Sequence, residues 1–258
     1  ATSMQRLSSG LRVNSAKDDA AGMAIAERMN TQVRGMTVAI RNANDGISLS
    51  QVAEGGLSVV TDILQRMREL AVQSINSTNT TGASGDINAL NQEYSQLSQE
   101  LARNMSSVEF NGTPLFTTTN DFTFQVGANQ GQTVVVSSAS LGIASEQTII
   151  DVVFGGSAAS LMVDTNSANA DNLIALDAAL ATVNSSRATL GAIQSRFSQT
   201  ITYLQTAVEN QTAARGRIMD ADFAAETANL SRTQILQQAG TFAATAGYIN
   251  PKESPGER

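Results

Sequence analysis

From Met29 the apolar residues fall at Met29, Val33, Met36, Ile40, Ala43 and Ile47, in alternating steps of four and three. That is the spacing of a heptad seam along one face of a helix. The seam resumes at Leu57, Val60, Leu64, Met67 and Ala71. Between the two stretches Gly46, Gly55 and Gly56 each cost roughly 1 kcal/mol of helix propensity relative to Ala, so the helix needs packing to survive. The pattern predicts one long, buttressed helix over Asp18–Ser77. The polar, glycine-containing run from Asn76 to Gly85 is a loop, and Asp86 opens the next helix. Ile87, Leu90, Tyr94, Leu97, Leu101, Met105 and Val108 then step by three and four over about six turns, folding back antiparallel on the first helix.

The pattern changes at Phe110-Asn111-Gly112-Thr113-Pro114, a turn cluster. Phe122–Val126 and Thr133–Ser137 are β-rich runs on either side of a Gly127–Gly131 loop, which predicts a β-hairpin. Thr148–Phe154 is an expected further strand, although period alone does not assign so short a run. Helical spacing returns over Ser167–Gly216 with Leu173, Leu176, Leu180, Val183, Leu190, Ile193, Phe197, Ile201, Leu204 and Val208. This proline-free helix is on the order of 70 Å long, with Arg187 and Gln194 interrupting its seam. A further amphipathic stretch begins at Phe223, and Gly240 is its expected end. Pro251–Arg258 has linker composition and is expected to be disordered. The fold class is therefore mainly α: an elongated, rod-like helical bundle of N- and C-terminal long helices around a small β-hairpin region.

Composition narrows the chemistry. The 258 residues are 41% hydrophobic but only 4% aromatic, so Leu, Ile, Val, Met and Ala must fill the core. Without cysteine or histidine the protein lacks thiolate nucleophiles, the commonest general base and the commonest transition-metal ligand. No catalytic residue, metal or cofactor is expected, and the sequence does not read as an enzyme. A net charge of -7 argues against nucleic acid as a partner. No apolar run approaches the roughly 20 residues of a membrane span, and the opening residues lack a signal-peptide layout. Asp18/Asp19 and Asp220/Asp222 are paired carboxylates, but neighbours one or two apart point in different directions on a helix, so they read as helix ends.

Several long strings resemble the bacterial flagellins. Gln5-Arg-Leu-Ser-Ser-Gly-Leu-Arg-Val-Asn-Ser-Ala-Lys-Asp-Asp-Ala-Ala-Gly22, Arg41-Asn-Ala-Asn-Asp-Gly-Ile-Ser48 and Gln65-Arg-Met-Arg-Glu-Leu-Ala-Val-Gln-Ser74 are similar to that family's N-terminal half. Phe110-Asn-Gly112 and Gln125-Val-Gly-Ala-Asn129 resemble its hairpin region. Met219-Asp-Ala-Asp222 and Ser231-Arg-Thr-Gln-Ile-Leu-Gln-Gln-Ala-Gly-Thr241 resemble its C-terminal segment. The resemblance implies a self-assembling filament subunit with residues 1–140 as the N-terminal part of a rod domain and 171–218 as its C-terminal part. It makes 141–170 a short variable insertion and 219–258 the start of a terminal filament-core segment with a flexible tail. The family pattern continues beyond Thr241 with an apolar helix, so the sequence reads as truncated at both ends.

The same resemblance implies other flagellin subunits as partners, together with a flagellar export chaperone. A Toll-like flagellin receptor of a host and a surface polysaccharide are further candidate partners. The implied location is the extracellular bacterial flagellum, reached unfolded through the flagellar apparatus without a cleaved signal peptide. Arg66, Leu70 and Gln73, four and three residues apart, are expected to line one exposed stripe, with Glu93 on the next helix completing a subunit and receptor interface. Asn42, Asn44 and Asp45 are out of place inside a long heptad and are either a polar seam toward a neighbouring subunit or a simple irregularity of the helix. Two alternatives are a hook–filament junction protein and a flagellin-like surface adhesin that binds polysaccharide.

Overall fold

The computed structural model describes residues 2–76, 78–79, 85–116, 121–137 and 166–248. Its helices are α1 (Thr2–Ser9), α2 (Ala20–Ser74), α3 (Asp86–Ser107), α4 (Asn166–Met219) and α5 (Phe223–Tyr248). Between α3 and α4 lie four short strands: β1 (Glu109–Phe110), β2 (Thr113–Pro114), β3 (Phe122–Gln125) and β4 (Thr133–Val136). The mainly α class and the three long helices agree with the sequence pattern. The expected strand at 148–154 and the tail at 251–258 lie outside the described residues. Of the expected insertion 141–170, residues 166–170 already belong to α4 and the remainder lies outside the described residues.

By contact the protein divides into two compact units, one of residues 35–206 and one of residues 1–34 with 207–258. In the first unit α2 turns a strict heptad line toward the core. Met36, Ala39, Ala43, Gly46, Ser50, Ala53, Leu57, Val60, Leu64, Met67, Ala71 and Ser74 are all buried along it. The line coincides with the expected seam from Leu57 onward, but upstream it differs. Ile40 and Ile47 are only half-buried, whereas the small residues at 39, 46, 50 and 53 occupy the centre of the contact. Large apolar side chains are the wrong markers there, because the packed elements approach the helix backbone itself. The buried hydroxyls are satisfied within the helix: Ser50 Oγ donates to the Gly46 carbonyl (2.8 Å) and Thr61 Oγ1 to the Leu57 carbonyl (2.8 Å).

The opposing line on α4 is Leu176, Ala179, Val183, Ser186, Leu190, Phe197 and Leu204. Ser186 fills the seam beside Arg187, so the arginine does not interrupt it. Gln194 reaches across, its Nε2 donating to Glu54 Oε2 of α2 at 3.0 Å. Phe197 is fully buried, and a Cβ placed on Gly46 would lie 2.5 Å from its ring. The same ring meets Phe124 of β3 edge-on, with centroids 5.6 Å apart and planes at 90°. One phenyl group thus joins α2, α4 and the β3–β4 hairpin. A Cβ on Gly56 would likewise meet Val108 at 2.8 Å and Phe116 at 3.0 Å, the residues that flank the β1–β2 turn.

The turn cluster at 110–114 is itself a small hairpin. Asn111 (φ 51°) and Gly112 (φ 75°) form its two-residue loop, the positive-φ pair that matches strand twist. In β3–β4 the register pairs Phe122 with Val136 and Gln125 with Thr133.

In the second unit, Arg12 donates from its backbone N–H to the Met219 carbonyl (2.6 Å) and from Nη2 to the Ile218 carbonyl (2.7 Å). Ala221 N–H donates to the Gly10 carbonyl at 3.0 Å, closing a bridge between Leu11 and Asp220. Arg215 donates to Asn30 at 3.0 Å, linking residues of α4 and α2 inside this unit. Helix α5 does not end at Gly240 but runs through it to Tyr248. Gly240 lies outside the set of glycines at positive φ, so it caps nothing, and the surrounding Ala-rich turns carry the helix past it.

Replacing Gly46 by Ala should destabilise the fold by roughly 1–3 kcal/mol, because a stiff ring already held by Phe124 has to move. Gly55, whose added Cβ meets nothing within 4 Å, should instead gain up to about 1 kcal/mol on substitution by Ala. Urea denaturation of the two variants, side by side, checks the pair.

Candidate assembly surface

Opposite its core line, α2 presents a second heptad line to solvent. Val38, Arg41, Asp45, Ser48, Val52, Gly55, Val59, Asp62, Arg66, Glu69 and Gln73 are all exposed, again in steps of three and four. Val38, Val52 and Val59 occupy one heptad position and are 45%, 40% and 43% exposed. Each presents a branched apolar side chain to solvent, with Ser48 and Gly55 on either side of Val52 at the centre of the line. Charge stands on either side of that centre, at Arg41 and Asp45 and, toward the C-terminal end, at Asp62, Arg66 and Glu69.

There, Arg66 donates from Nε to Glu93 Oε1 of α3 at 2.8 Å and from Nη1 to Glu69 Oε2 at 2.9 Å. On the neighbouring face Arg68 donates from Nε to Asp177 Oδ1 of α4 at 2.6 Å and from Nη2 to Oδ2 at 3.3 Å. One turn of α2 is thus tied to α3 by Arg66 and to α4 by Arg68. The hydrogen bonds from Arg68 hold the Asp177 carboxyl below its ordinary range. The side chains of both pairs are open to solvent, so these contacts set geometry more than they add stability.

Of the expected interface residues, Arg66, Glu93 and Gln73 lie exposed, with Arg66 and Glu93 in direct contact. Leu70 does not join them. It is 1% exposed and belongs to the hydrophobic core, at the heptad position of Leu49, Gly56 and Ile63. At about 100° per residue a step of four carries the side chain some 40° around the helix, and α2 is covered on that flank. Asn42 also turns inward: its Nδ2 donates to the Gln125 carbonyl at 3.0 Å, fastening the end of β3 to α2. Asn44 is exposed and bonds back to the Ile40 carbonyl at 2.9 Å, while Asp45 stands on the outward line. Sequence reasoning misses the three valines. Their signal is recurrence at multiples of seven, out of phase with the core.

Three of the four paired carboxylates, Asp18, Asp19 and Asp222, accept from backbone N–H groups. Asp18 accepts from the Ser15 hydroxyl (3.0 Å) and from the backbone N–H groups of Ser15 (2.9 Å) and Asn14 (3.2 Å), which lowers its pKa. Asp19 accepts from Gly22 N–H at 2.8 Å at the start of α2, and Asp222 from Ala224 N–H at 2.9 Å at the start of α5. Among the described residues no group of carboxylates converges as a metal site.

Residues 1–121 match the family model of the bacterial flagellin N-terminal helical region, and residues 173–247 that of the C-terminal helical region. Flagellin from Halalkalibacterium halodurans is 44% identical over 237 residues, covering 92% of this chain and 83% of its own length. The chain belongs to the bacterial flagellin family. The flagellin of Bacillus subtilis strain 168 is 39% identical over 263 residues, covering 92% of this chain and 85% of its own. The crystal structure of Bacillus cereus flagellin superimposes with a TM-score of 0.53 at 26% identity, over 68% of this chain and 94% of that one. Flagellins are structural proteins, not enzymes, and this one is a subunit that polymerises with other flagellin subunits in the extracellular flagellar filament. Nothing among these relatives favours a junction protein or an adhesin.

Because Leu70 is core, Leu70→Ala should cost about 2–5 kcal/mol in chemical denaturation, whereas Gln73→Ala should stay within about 0.5 kcal/mol of the parent. The Arg68–Asp177 pair has a definite pH sign. A depressed carboxyl pKa stabilises the fold fully above the ordinary value of 3.8, and that contribution fades as pH falls through the lower folded value. Carboxyl NMR titration of Arg68→Ala should show the Asp177 midpoint moving back up.

Proposed function

We propose that the outward heptad line of α2 is the surface on which one flagellin subunit packs against the next in the filament. The observation that carries this is the register of Val38, Val52 and Val59. They share one heptad position with Asp45 and face away from their own core, and the small residues Ser48 and Gly55 lie on either side of Val52. A surface of this kind is apolar at its centre and charged at its rim, as protein contacts are. Its partner must be a different face of the neighbouring subunit for a contact that propagates instead of closing into a dimer. The Arg66–Glu93 pair and Gln73 form the polar end of the line, with Leu70 supporting it from below.

The same polar end is the surface a host Toll-like flagellin receptor would read, through groups already held in place by hydrogen bonds. For export, the C-terminal helix offers a site to a chaperone. On α5, Phe223 is 56%, Ile235 64%, Leu236 64% and Phe242 80% exposed, apolar area that a bound partner would shield. The sequence lacks cysteine, so unfolded passage through the flagellar apparatus leaves no disulfide to break or re-form.

Salt-induced assembly followed by electron microscopy tests the α2 surface. The full-length protein should form tubes, and a Val52→Glu/Val59→Glu variant should retain its helical circular dichroism yet need a much higher concentration to polymerise. A contact worth about 2 kcal/mol raises that concentration roughly 30-fold. Tubes from the variant at the parental concentration would remove α2 from the interface.

A further inference from the structure

Asn111-Gly112 is the sole Asn-Gly dipeptide in the sequence. It forms the exposed turn between β1 and β2, and Asn111 is the one non-glycine residue at positive φ among the described residues. Glycine after asparagine leaves the following backbone nitrogen unshielded, because no Cβ stands beside it. That nitrogen can attack the asparagine Cγ. A bond forms between Gly112 N and Asn111 Cγ, the Cγ–Nδ2 bond breaks, and ammonia leaves with the proton from the peptide nitrogen. One water then opens the five-membered succinimide at either carbonyl, giving aspartate or isoaspartate. The only co-reactant is solvent.

The folded turn opposes this chemistry. A residue in the left-handed region has a ψ of about +47°, and ring closure requires the peptide to swing away from that setting so that its nitrogen faces the side chain. The pairs Phe110 with Thr113 and Glu109 with Pro114 hold the turn closed on either side. Just beyond them, the Leu115 N–H donates to the Val108 carbonyl at 3.0 Å.

We propose that Asn111-Gly112 is a site of spontaneous deamidation gated by the β1–β2 hairpin, with the closed hairpin withholding the reaction and each opening exposing the turn to it irreversibly. The product changes the fold. Isoaspartate inserts an extra carbon into the backbone of a two-residue turn, and either product adds a carboxylate two residues from Glu109. Val108 and Phe116, on the two flanks of this hairpin, are the side chains seated against Gly56 of α2. An exposed modification is thereby relayed to a buried helix contact. None of this depends on how subunits pack.

The test follows each asparagine of the full-length protein by fragment mass spectrometry during incubation in mildly alkaline buffer, native and in denaturant. Asn111→Gly, which accepts positive φ and has no amide to lose, identifies the signal. In denaturant Asn111 should deamidate ahead of every other asparagine. In the native protein it should react at least about tenfold more slowly, equivalent to about 1.4 kcal/mol of local opening. The Asn111→Gly variant should lose the fastest phase. An Asn111 that survives in denaturant while other asparagines react would overturn the site, and equal rates native and denatured would overturn the gating.

Discussion

The close approach of α4 and the hairpins to the backbone of α2 is the constraint from which the larger unit follows. Glycine and alanine at positions 39, 43, 46 and 53 expose main chain where a leucine would hold neighbours away. Phe197 fills the space left at Gly46, and burying a ring of that size contributes roughly 2–3 kcal/mol. Val108 and Phe116 do the same at Gly56. The helix propensity that these glycines sacrifice is offset by contacts that only they permit. A core with few aromatic residues therefore concentrates its specificity at a few rings seated on glycine.

Helix positions are legible because their signal is long and periodic. The seam from Leu57 to Ala71, the Asp86–Ser107 helix and the proline-free run through Leu204 all carry enough repeats to fix phase. What escapes is the half of the seam written in small residues. Ala39, Gly46 and Ser50 have no hydrophobic contrast with their surroundings, so Ile40 and Ile47 stand out in their place. The same weakness misplaces Leu70. A four-residue step looks like a shared stripe in sequence, but whether it stays on the surface depends on how far neighbouring helices wrap around α2, and that is a tertiary fact. Gly240 shows the converse, a strong local stop signal overridden by good helix formers on either side.

Two heptad lines on one helix give α2 separate duties. The inner line commits it to its own subunit through small-residue packing, while the outer line of valines and charged residues leaves a second surface available. Polar residues of α2 are drawn into one task or the other: Asn42 and Glu54 bond to β3 and α4, and Asp45 faces out. The ion pairs of Arg66 and Arg68 join the C-terminal part of α2 to α3 and α4.

Several of the bonds that close these units join distant parts of the sequence. Gln194 and Glu54 are 140 positions apart, and Arg12 and Ile218 are 206 apart. Helices α2 and α3 can form early from local contacts, but the ring of Phe197 reaches Gly46 only after a long stretch of polypeptide has been gathered, with the loop-closure entropy that this entails. Folding is thereby postponed to the arrival of the C-terminal segment. Until α4 arrives, the line of small residues on α2 stays unfilled, and the larger unit cannot consolidate on local contacts alone.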